Sequence, residues 1–583
     1  MFVVNDNNDN NNNNILNKIM KSLPLLMKPL FLALLVAFPP LVAAQTGPVI
    51  PGAGTILQQV QPVAPPPRSS TGTDLTINRE ADVKLPPGAP FLVNTIRITG
   101  NKKIATATLH ALVAEGEGKS LTLVQLGTLA TRITEYYRSQ GYPLARAIIP
   151  AQTIRAGIVE IQIIVARYGK INLDNRSRVD DSLLQATLSP LQIGEEIQQQ
   201  GLDKTLLLLS DIPGVLVNAK LKPGDAVGTS DLEVNTMSGP AVSGNIGLDN
   251  YGNRFTGKPR ITGSVNIIDP LNLKFSNVLS ISALSSGDGL NHGRIAYESV
   301  VNGQGTRLGG SYSALRYRLG DSLASLNGNG TARVGSLFAK HPFLRGPDAN
   351  LYGQIQYDNL QLRDRIDFLS TKTDRHLNNW TLSLTGDARD TLLSGGINTW
   401  SLGWTTGRVG FDNTAAQLLD ANTAATRGGF SKLNANFARY QNLGPKDGLY
   451  MAFSGQLAGT NLDSSQKMSV GGPNSVRAYD AGAVSGDSGY LGTVELRHDL
   501  GTAWQGQLQA VAFVDSANVT VNKNIWVAGT NSASLSGAGA GLNWAGLDQW
   551  SARTYVAVPI GSTPALVSAT KSARAWMEVS KRF

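Results

Sequence analysis

The chain has 583 residues, 51 Lys and Arg against 42 Asp and Glu, a formal net charge of +9 and no cysteine. The missing thiols exclude a disulfide scaffold, thiolate-held zinc, cysteine-bound iron–sulfur clusters and cysteine nucleophiles. A hydrophobic share of 42% with 16% charged residues excludes a disordered chain.

At about 150 residues per domain the length allows about four domains. Two differently built halves share the chain, because 17 of the 62 glycines but 18 of the 27 prolines fall in residues 1–236. Residues 5–14 are almost all Asn and Asp, too polar to pack. Lys18, Lys21 and Lys28 then precede an apolar run from Leu30 to Phe38, and Val42-Ala43-Ala44 suits signal-peptidase cleavage before Gln45. Residues 1–44 therefore read as an Asn-rich leader and signal peptide. A run that short, broken by Pro39-Pro40, cannot cross about 30 Å of hydrocarbon, which needs about 20 residues. Without 1–44 the chain keeps a charge of +8, spread rather than clustered, which argues against a nucleic-acid patch. No later stretch of about 18 apolar residues occurs, so entry into a membrane requires a closed barrel, which satisfies strand backbone groups in lipid.

Residues 45–90 are proline-rich (Pro62, Pro65, Pro66, Pro67, Pro86, Pro87, Pro90) and read as an extended linker. Within it, 54–61 places Ile56, Leu57 and Val60 on one face of a short helix candidate. From Phe91 the pattern is globular. Residues 93–99 alternate as a strand, 105–114 fit a short helix, and Leu123, Leu126, Leu129, Ile133 and Tyr136 form the apolar stripe of a second helix that Gly141-Tyr142-Pro143 stops. Strands at 145–150 and 158–165 complete a β-α-α-β-β module over 91–167. The order recurs over 168–236, with a strand at 170–173, helices at 179–188 and 195–209, and strands at 214–222 and 230–236, which points to an internal duplication. Neither copy clusters His or pairs carboxylates, so both read as binding modules.

Beyond Met237 two-residue alternation takes over. In 449–459, Leu449, Met451, Phe453 and Leu457 oppose Tyr450, Ala452, Ser454 and Gln456. In 507–515, Leu508, Ala510, Ala512 and Val514 oppose Gln507, Gln509, Phe513 and Asp515. In 573–583, Ala573, Ala575, Met577, Val579 and Phe583 oppose Arg574, Glu578, Ser580 and Arg582, with Lys581 the one misfit. Gly, Asn, Asp and Ser cluster between strands, as at 285–291, 327–330 and 412–426. A soluble β-sandwich alternates too, but so long and glycine-rich a segment is large for one. Tilted strands of about 9–11 residues with one apolar and one polar face fit an outer-membrane barrel.

The most informative short segment is Val470–Asp480 (VGGPNSVRAYD), in a long connection between the strands at 449–459 and 489–500. Here the chain resembles the transporters of bacterial two-partner secretion (TpsB type), the hemolysin secretion/activation group of the Omp85 superfamily. Their VRGYD-type motif sits in the sixth extracellular loop, folded back into the lumen, and is matched by Val476-Arg477-Ala478-Tyr479-Asp480. Their inner-wall partner motif ends in Phe-x-Asp, matched by Phe513-Val514-Asp515. Residues 120–152 are similar to the family's first POTRA domain, and the second module takes the second POTRA position. The chain departs from the pattern at Ala478, where the motif has Gly, and at Ala166-Arg167, where an acidic residue and Gly are common. The family's N-terminal plug helix maps onto 54–61.

The resemblance implies a mixed fold: two periplasmic POTRA domains (β-α-α-β-β), then a 16-stranded antiparallel transmembrane β-barrel over 237–583. It implies an outer-membrane translocator, working as a monomer in outer-membrane lipid, that exports a large secreted exoprotein (TpsA type: hemolysin, adhesin or iron-scavenging protein) without ATP, cofactor, metal or nucleic acid. Two alternatives stay open, an Omp85-type assembly factor and a passive porin or adhesin. The pairing of Arg477 with Asp515 follows from the resemblance and from the lumen-facing parity of Asp515, since a buried guanidinium requires a carboxylate that can accept its planar fork. Four further signals carry no site. His110, His292, His341, His376 and His498 are scattered without metal-ligand spacing, and no helix follows the Gly537–Gly541 run as a phosphate loop requires. Asn329-Gly330-Thr331 is a cheap sequon match, and Glu495, Arg497 and Asp499 share a face as a charged lumen requires. No nucleophile–base constellation appears, so the chain does not read as an enzyme.

Overall fold

The computed structural model describes residues 50–60, 74–77, 86, 88–272, 276–567 and 571–583. The leader and signal-peptide reading lies outside the described residues, as does Gln61 at the end of the helix candidate.

A short helix, α1 (Ala53–Gln59), is followed by β1 (Asp74–Ile77). The first module runs β2 (Phe91–Val93), β3 (Thr95–Thr99), α2 (Thr106–Ala111), β4 (Lys119–Leu121), α3 (Leu123–Ser139), β5 (Arg146–Ile148) and β6 (Ile158–Ile164). Its sheet has the order β3-β6-β5, with β2 and β4 paired separately. Thr122 and Gln125 form a reciprocal capping box that starts α3. The buried stripe of α3 is Leu126, Leu129, Ile133 and Tyr137, so the stripe closes on Tyr137 rather than on Tyr136.

The second module runs β7 (Arg167–Arg176), α4 (Asp181–Leu188), α5 (Gln199–Ser210), β8 (Val215–Pro223) and β9 (Thr229–Ser238). α5 starts later than its apolar pattern suggests, because 195–197 lie along β7, where Tyr168 N–H donates to the Glu195 carbonyl (3.0 Å) and Ile197 N–H to that of Ala166 (2.9 Å). The sheet order is β1-β8-β9-β7. Its fourth strand comes from the proline-rich segment: β1 pairs parallel with β8 from Asp74↔Asn218 to Ile77↔Leu221, and Leu75 and Ile77 pack on the module's core. That segment is thus more than a linker.

Sixteen strands then close a barrel. They are β10 (Val242–Asp249), β11 (Arg260–Ile268), β12 (Asn277–Ser285), β13 (Leu290–Val300), β14 (Arg307–Arg318), β15 (Gly328–Arg345), β16 (Ala349–Ile366), β17 (Thr371–Asp390), β18 (Gly396–Phe411), β19 (Gly428–Asn442), β20 (Asp447–Ala458), β23 (Ser488–Ala503), β24 (Gly506–Thr520), β25 (Ser532–Gly546), β26 (Trp550–Pro559) and β27 (Arg574–Arg582). A helix, α6 (Thr414–Ala421), interrupts the polar connection between β18 and β19, and a two-stranded hairpin, β21 (Met468–Val470) and β22 (Val484–Gly486), lies inside the connection between β20 and β23. The seam pairs Asn245–Asp249 of β10 with Glu578–Arg582 of β27. No helix among the described residues is long and apolar enough to cross a membrane.

The modules lead into β10, so with the modules on the periplasmic side, as the resemblance implies, the connection after β20 is the sixth on the extracellular side. Asp211, just past α5, fixes the second module to the periplasmic rim. Its carboxylate accepts Arg345 Nε (2.7 Å) and Nη2 (2.9 Å), and its carbonyl accepts Arg307 Nη2 (2.6 Å).

The lumen wall is not uniformly polar. Leu315, Tyr317, Leu360, Leu362 and Leu377 point inward, and Ala53, Ile56 and Leu57 of α1 are buried against them. Full burial of an Ile or Leu side chain stabilises by about 1.5–3 kcal/mol, so this apolar strip gives α1 a seat inside the barrel. The helix candidate at 54–61 thus forms and lies against the lumen wall.

Candidate functional site

The sixth extracellular connection folds into the lumen, and its tip, 471–483, carries the VRAYD residues. Gly471 (φ +98°) and Gly472 (φ +108°) make the turn there, and a Cβ at Gly471 would meet the Asp480 carbonyl at 2.5 Å. Ala478 keeps an ordinary negative φ, so Ala in place of Gly costs no backbone strain at that point.

Arg477 is buried, 3% exposed, and reaches the wall strands β23 and β24. Its Nε and Nη2 donate to both oxygens of Asp515 (2.8 and 2.7 Å), and its backbone N–H also donates to Asp515 (3.1 Å). Its Nη1 donates to Glu495 (2.7 Å). Glu495 in turn accepts Arg497 (2.6 Å), so two guanidiniums face two carboxylates and the buried charge balances. The Arg477 guanidinium stacks 3.3 Å above the Phe513 ring. Phe513 therefore serves the site by cation–π contact.

The flanking motif residues hold the loop around this pair. Val476, Ala478 and Tyr479 are buried with Val511, Phe513 and Leu535. Asp480 pairs with Arg574 of β27, Trp576 Nε1 donates to the Arg477 carbonyl (2.7 Å), and Asn253 donates to that of Ala481 (2.7 Å). The alternation rule could have supplied Glu495, Arg574 and Trp576, all on the lumen face; partner choice depends on the loop's position, which no local pattern encodes.

The glycine run on β25 makes room for the loop. A Cβ on Gly537 would lie 2.5 Å from the Ala478 Cβ, and one on Gly539 would lie 2.5 Å from the Phe513 ring. Gly537→Val is expected to push the tip off the wall at an overpacking cost of about 1–3 kcal/mol. Protease added outside intact cells should then cut 471–483 faster and export should fall, whereas adding Ala478→Gly should restore both. No change in cleavage would count against close packing here.

A second ionic cluster, missed in the sequence, lies on another part of the wall, at β16 and β17. Asp364 of β16 accepts Tyr317 Oη (2.6 Å), Arg375 Nη1 (2.8 Å) and the backbone N–H of Ala53 at the start of α1 (2.7 Å). Arg375 Nε also lies 2.6 Å from Asp463, and its Nη2 donates to Ser464 (3.0 Å). Asp463 and Ser464 belong to the descending limb of the same connection that carries Arg477. Gly54 lets α1 approach this limb, since a Cβ there would meet Ser464 Oγ at 2.4 Å, and Gln58 donates to the Lys467 carbonyl. α1, the wall and the loop thus meet at one charge cluster. Among the described residues no group of three or more His, Asp or Glu is placed to hold a metal.

Known proteins match this architecture. Residues 228–544 match the family described as haemolysin secretion/activation protein ShlB/FhaC/HecB, and 91–165 match the ShlB-type POTRA domain. The heme/hemopexin transporter protein HuxB of Haemophilus influenzae is 27% identical over 533 residues, 90% of this chain and 93% of that protein. The outer membrane transporter CdiB of Escherichia coli is 22% identical over 507 residues, 83% of this chain and 81% of that protein. The solved structure of CdiB from Escherichia coli superposes with a TM-score of 0.65 at 20% identity, covering 87% of this chain and 93% of that one. BamA from Haemophilus ducreyi lacking POTRA domains 1–3 superposes with a TM-score of 0.51 at 15% identity, covering 85% and 100%.

Proposed function

Because the chain belongs to the ShlB/FhaC/HecB family of haemolysin secretion/activation proteins, it is an outer-membrane transporter of two-partner secretion, and we propose how its parts divide the work. The modules at 91–167 and 168–236 capture a large secreted exoprotein of the TpsA type in the periplasm. The barrel at 237–583 conducts it outward, and Val476–Asp480 with Phe513 and Asp515 form the lock that holds the lumen closed at rest. A single chain closes its own barrel, and outer-membrane lipid is its surrounding. No ATP enters this scheme.

The observation that carries the reading is that two separate elements enter the lumen, the loop held by buried ion pairs and α1 by apolar contacts and the hydrogen bond of Ala53 N–H to Asp364. Ion pairs exchange for water or for other polar groups at modest net cost once both partners are solvated together, whereas separating one partner while the other stays buried is expensive. Such a closure is stable at rest and reversible when a polypeptide wets the lumen. Capture by strand addition is the mode open to an extended partner segment, which supplies main-chain hydrogen bonds to a sheet edge. On the first module, the N–H groups of Ile96 and Ala147 at its two edge strands are already taken by Glu117 (2.6 Å) and Thr134 (2.9 Å). On the second, β1 occupies the β8 edge, so a segment docking there must displace it.

Quantitative proteomics of supernatant and outer membrane tests the reading in an intact strain and one lacking the chain. Loss of one large exported protein, with other barrel proteins unchanged, is the expected result. A broad fall in many barrel proteins would instead make the chain an assembly factor and overturn the proposal.

A further inference from the structure

The outward face of the barrel carries a cationic patch that the transport reading does not use. On β14, Leu315 and Tyr317 point into the lumen, so Arg316 and Arg318 point out. On β15, Ala332 points in and Arg333 out; on β16, Leu362 points in and Arg363 out. The register places these outward residues side by side: Arg316 and Arg363 both face Thr331 from either side, Arg318 faces Asn329, and Arg333 faces Ala314. Strands about 4.8 Å apart, with about 6.8 Å between alternate residues, put all four guanidinium stems within one patch.

Each of the four is exposed, and none has an ion-pair partner among the described residues; Arg365, which faces Asn329 in the row of Arg318, pairs with Asp374 (2.7 Å), the carboxylate that faces Arg363 from β17. Like charges this close repel, so the arrangement costs stability unless an anion is present. The patch sits at a defined depth. Below it on the same outward faces come Tyr312, Leu337 and Ile355, 49%, 66% and 43% exposed, which belong in hydrocarbon. Above it the strands leave the membrane through the third and fourth extracellular connections. The cations therefore lie where the headgroups of the outer leaflet begin. A shallow cleft leads away from them over the small side chains at Gly263, Ala283, Gly293 and Ala314 towards Phe583.

We propose that this face binds a phosphorylated glycolipid of the outer leaflet, with its phosphates held among Arg316, Arg318, Arg333 and Arg363 and an acyl chain along the cleft. Guanidinium forks bind phosphate oxygens in pairs, which a single diffuse surface charge does not match. The β14–β16 strands form the outer side of the wall whose inner side seats α1, so the lipid would also stiffen that seat.

The test uses the full chain in phosphatidylcholine nanodiscs doped with bis-phosphorylated lipid A, with retained lipid counted by native mass spectrometry. Wild type should retain lipid A, and Arg316→Gln/Arg363→Gln should lower retention about tenfold or more, as loss of two charge-assisted contacts implies. Arg316→Lys/Arg363→Lys, which keeps charge but not the fork, should fall between. Heat-modifiable migration on gels checks that each variant is a folded barrel. Equal retention by wild type and the Gln variant would overturn the proposal. Equal retention of fully dephosphorylated lipid A, or of phosphatidylglycerol doped at the same level, would overturn it too, because the patch would then not select a polyphosphorylated headgroup.

Discussion

Arg477→Ala is expected to abolish export while leaving a closed, heat-resistant barrel. Among the described residues, the substitution removes the only guanidinium that Asp515 accepts and one of two that Glu495 accepts, leaving both carboxylates buried in the wall. Breaking a buried pair in this way costs about 3–5 kcal/mol, far more than an exposed bridge contributes. The cost falls on docking of the loop rather than on the barrel, whose strands keep their ladders. Single-channel recordings should show large, long openings in place of short flickers, and secreted partner should fall below detection. The size of the effect should follow the contacts: Asp515→Asn, which faces three donors from Arg477, should resemble Arg477→Ala, whereas Glu495→Gln should be milder. Arg477→Lys should not restore export, since an ammonium cannot span Asp515 and Glu495 together. Wild-type conductance and secretion in Arg477→Ala would remove the lock from the mechanism.

Arg375→Gln is expected to release α1 and the descending limb of the loop together. Arg375 neutralises both Asp364 and Asp463, and Asp364 also accepts the first N–H of α1. Without the guanidinium two carboxylates are left buried near each other, again at about 3–5 kcal/mol. Conductance should rise, and a cysteine introduced at Ile56 should become reactive to a periplasmic thiol probe. Asp364→Asn should free α1 while leaving the Arg375–Asp463 pair, so it should increase Ile56 reactivity without exposing the 471–483 tip to external protease. Equal behaviour of the two variants in both assays would show that helix and loop are not joined through Arg375.

The two sites differ in how far the sequence reveals them. Asp515 and Phe513 were placed on the lumen side by alternation along 507–515, because a strand with one lipid face leaves no freedom in which residues point inward. The same rule covers Tyr450, Gln456, Glu495, Arg574 and Glu578. It fails for Asp364 and Arg375, for a physical reason: the lumen strip around Leu360, Leu362 and Leu377 is apolar, so β16 and β17 do not alternate cleanly there. α1 was faint on its own, since Ile56 and Leu57 make a thin stripe and Ala53 and Gly54 add little. It gains its stability from that apolar strip and from the small contact at Ser464, neither of which is local in sequence. β1 was hidden by its proline-rich surroundings, and only its pairing with β8 defines it.

The β1 strand has a kinetic consequence. It is tethered to the second module through residues 78–90 and the folded first module, and a strand held in the same chain near its docking edge is present at an effective concentration of about millimolar. A free partner segment at micromolar level competing for the β8 edge starts about a thousandfold behind, equivalent to about 4 kcal/mol. Backbone pairing alone cannot recover that deficit, because any extended peptide offers the same hydrogen bonds as Asp74–Ile77. Only a segment whose side chains add contacts beyond those of Leu75 and Ile77 displaces the strand. Where the exoprotein is captured at this edge, as proposed above, β1 sets a threshold that an extended segment lacking those added contacts does not pass.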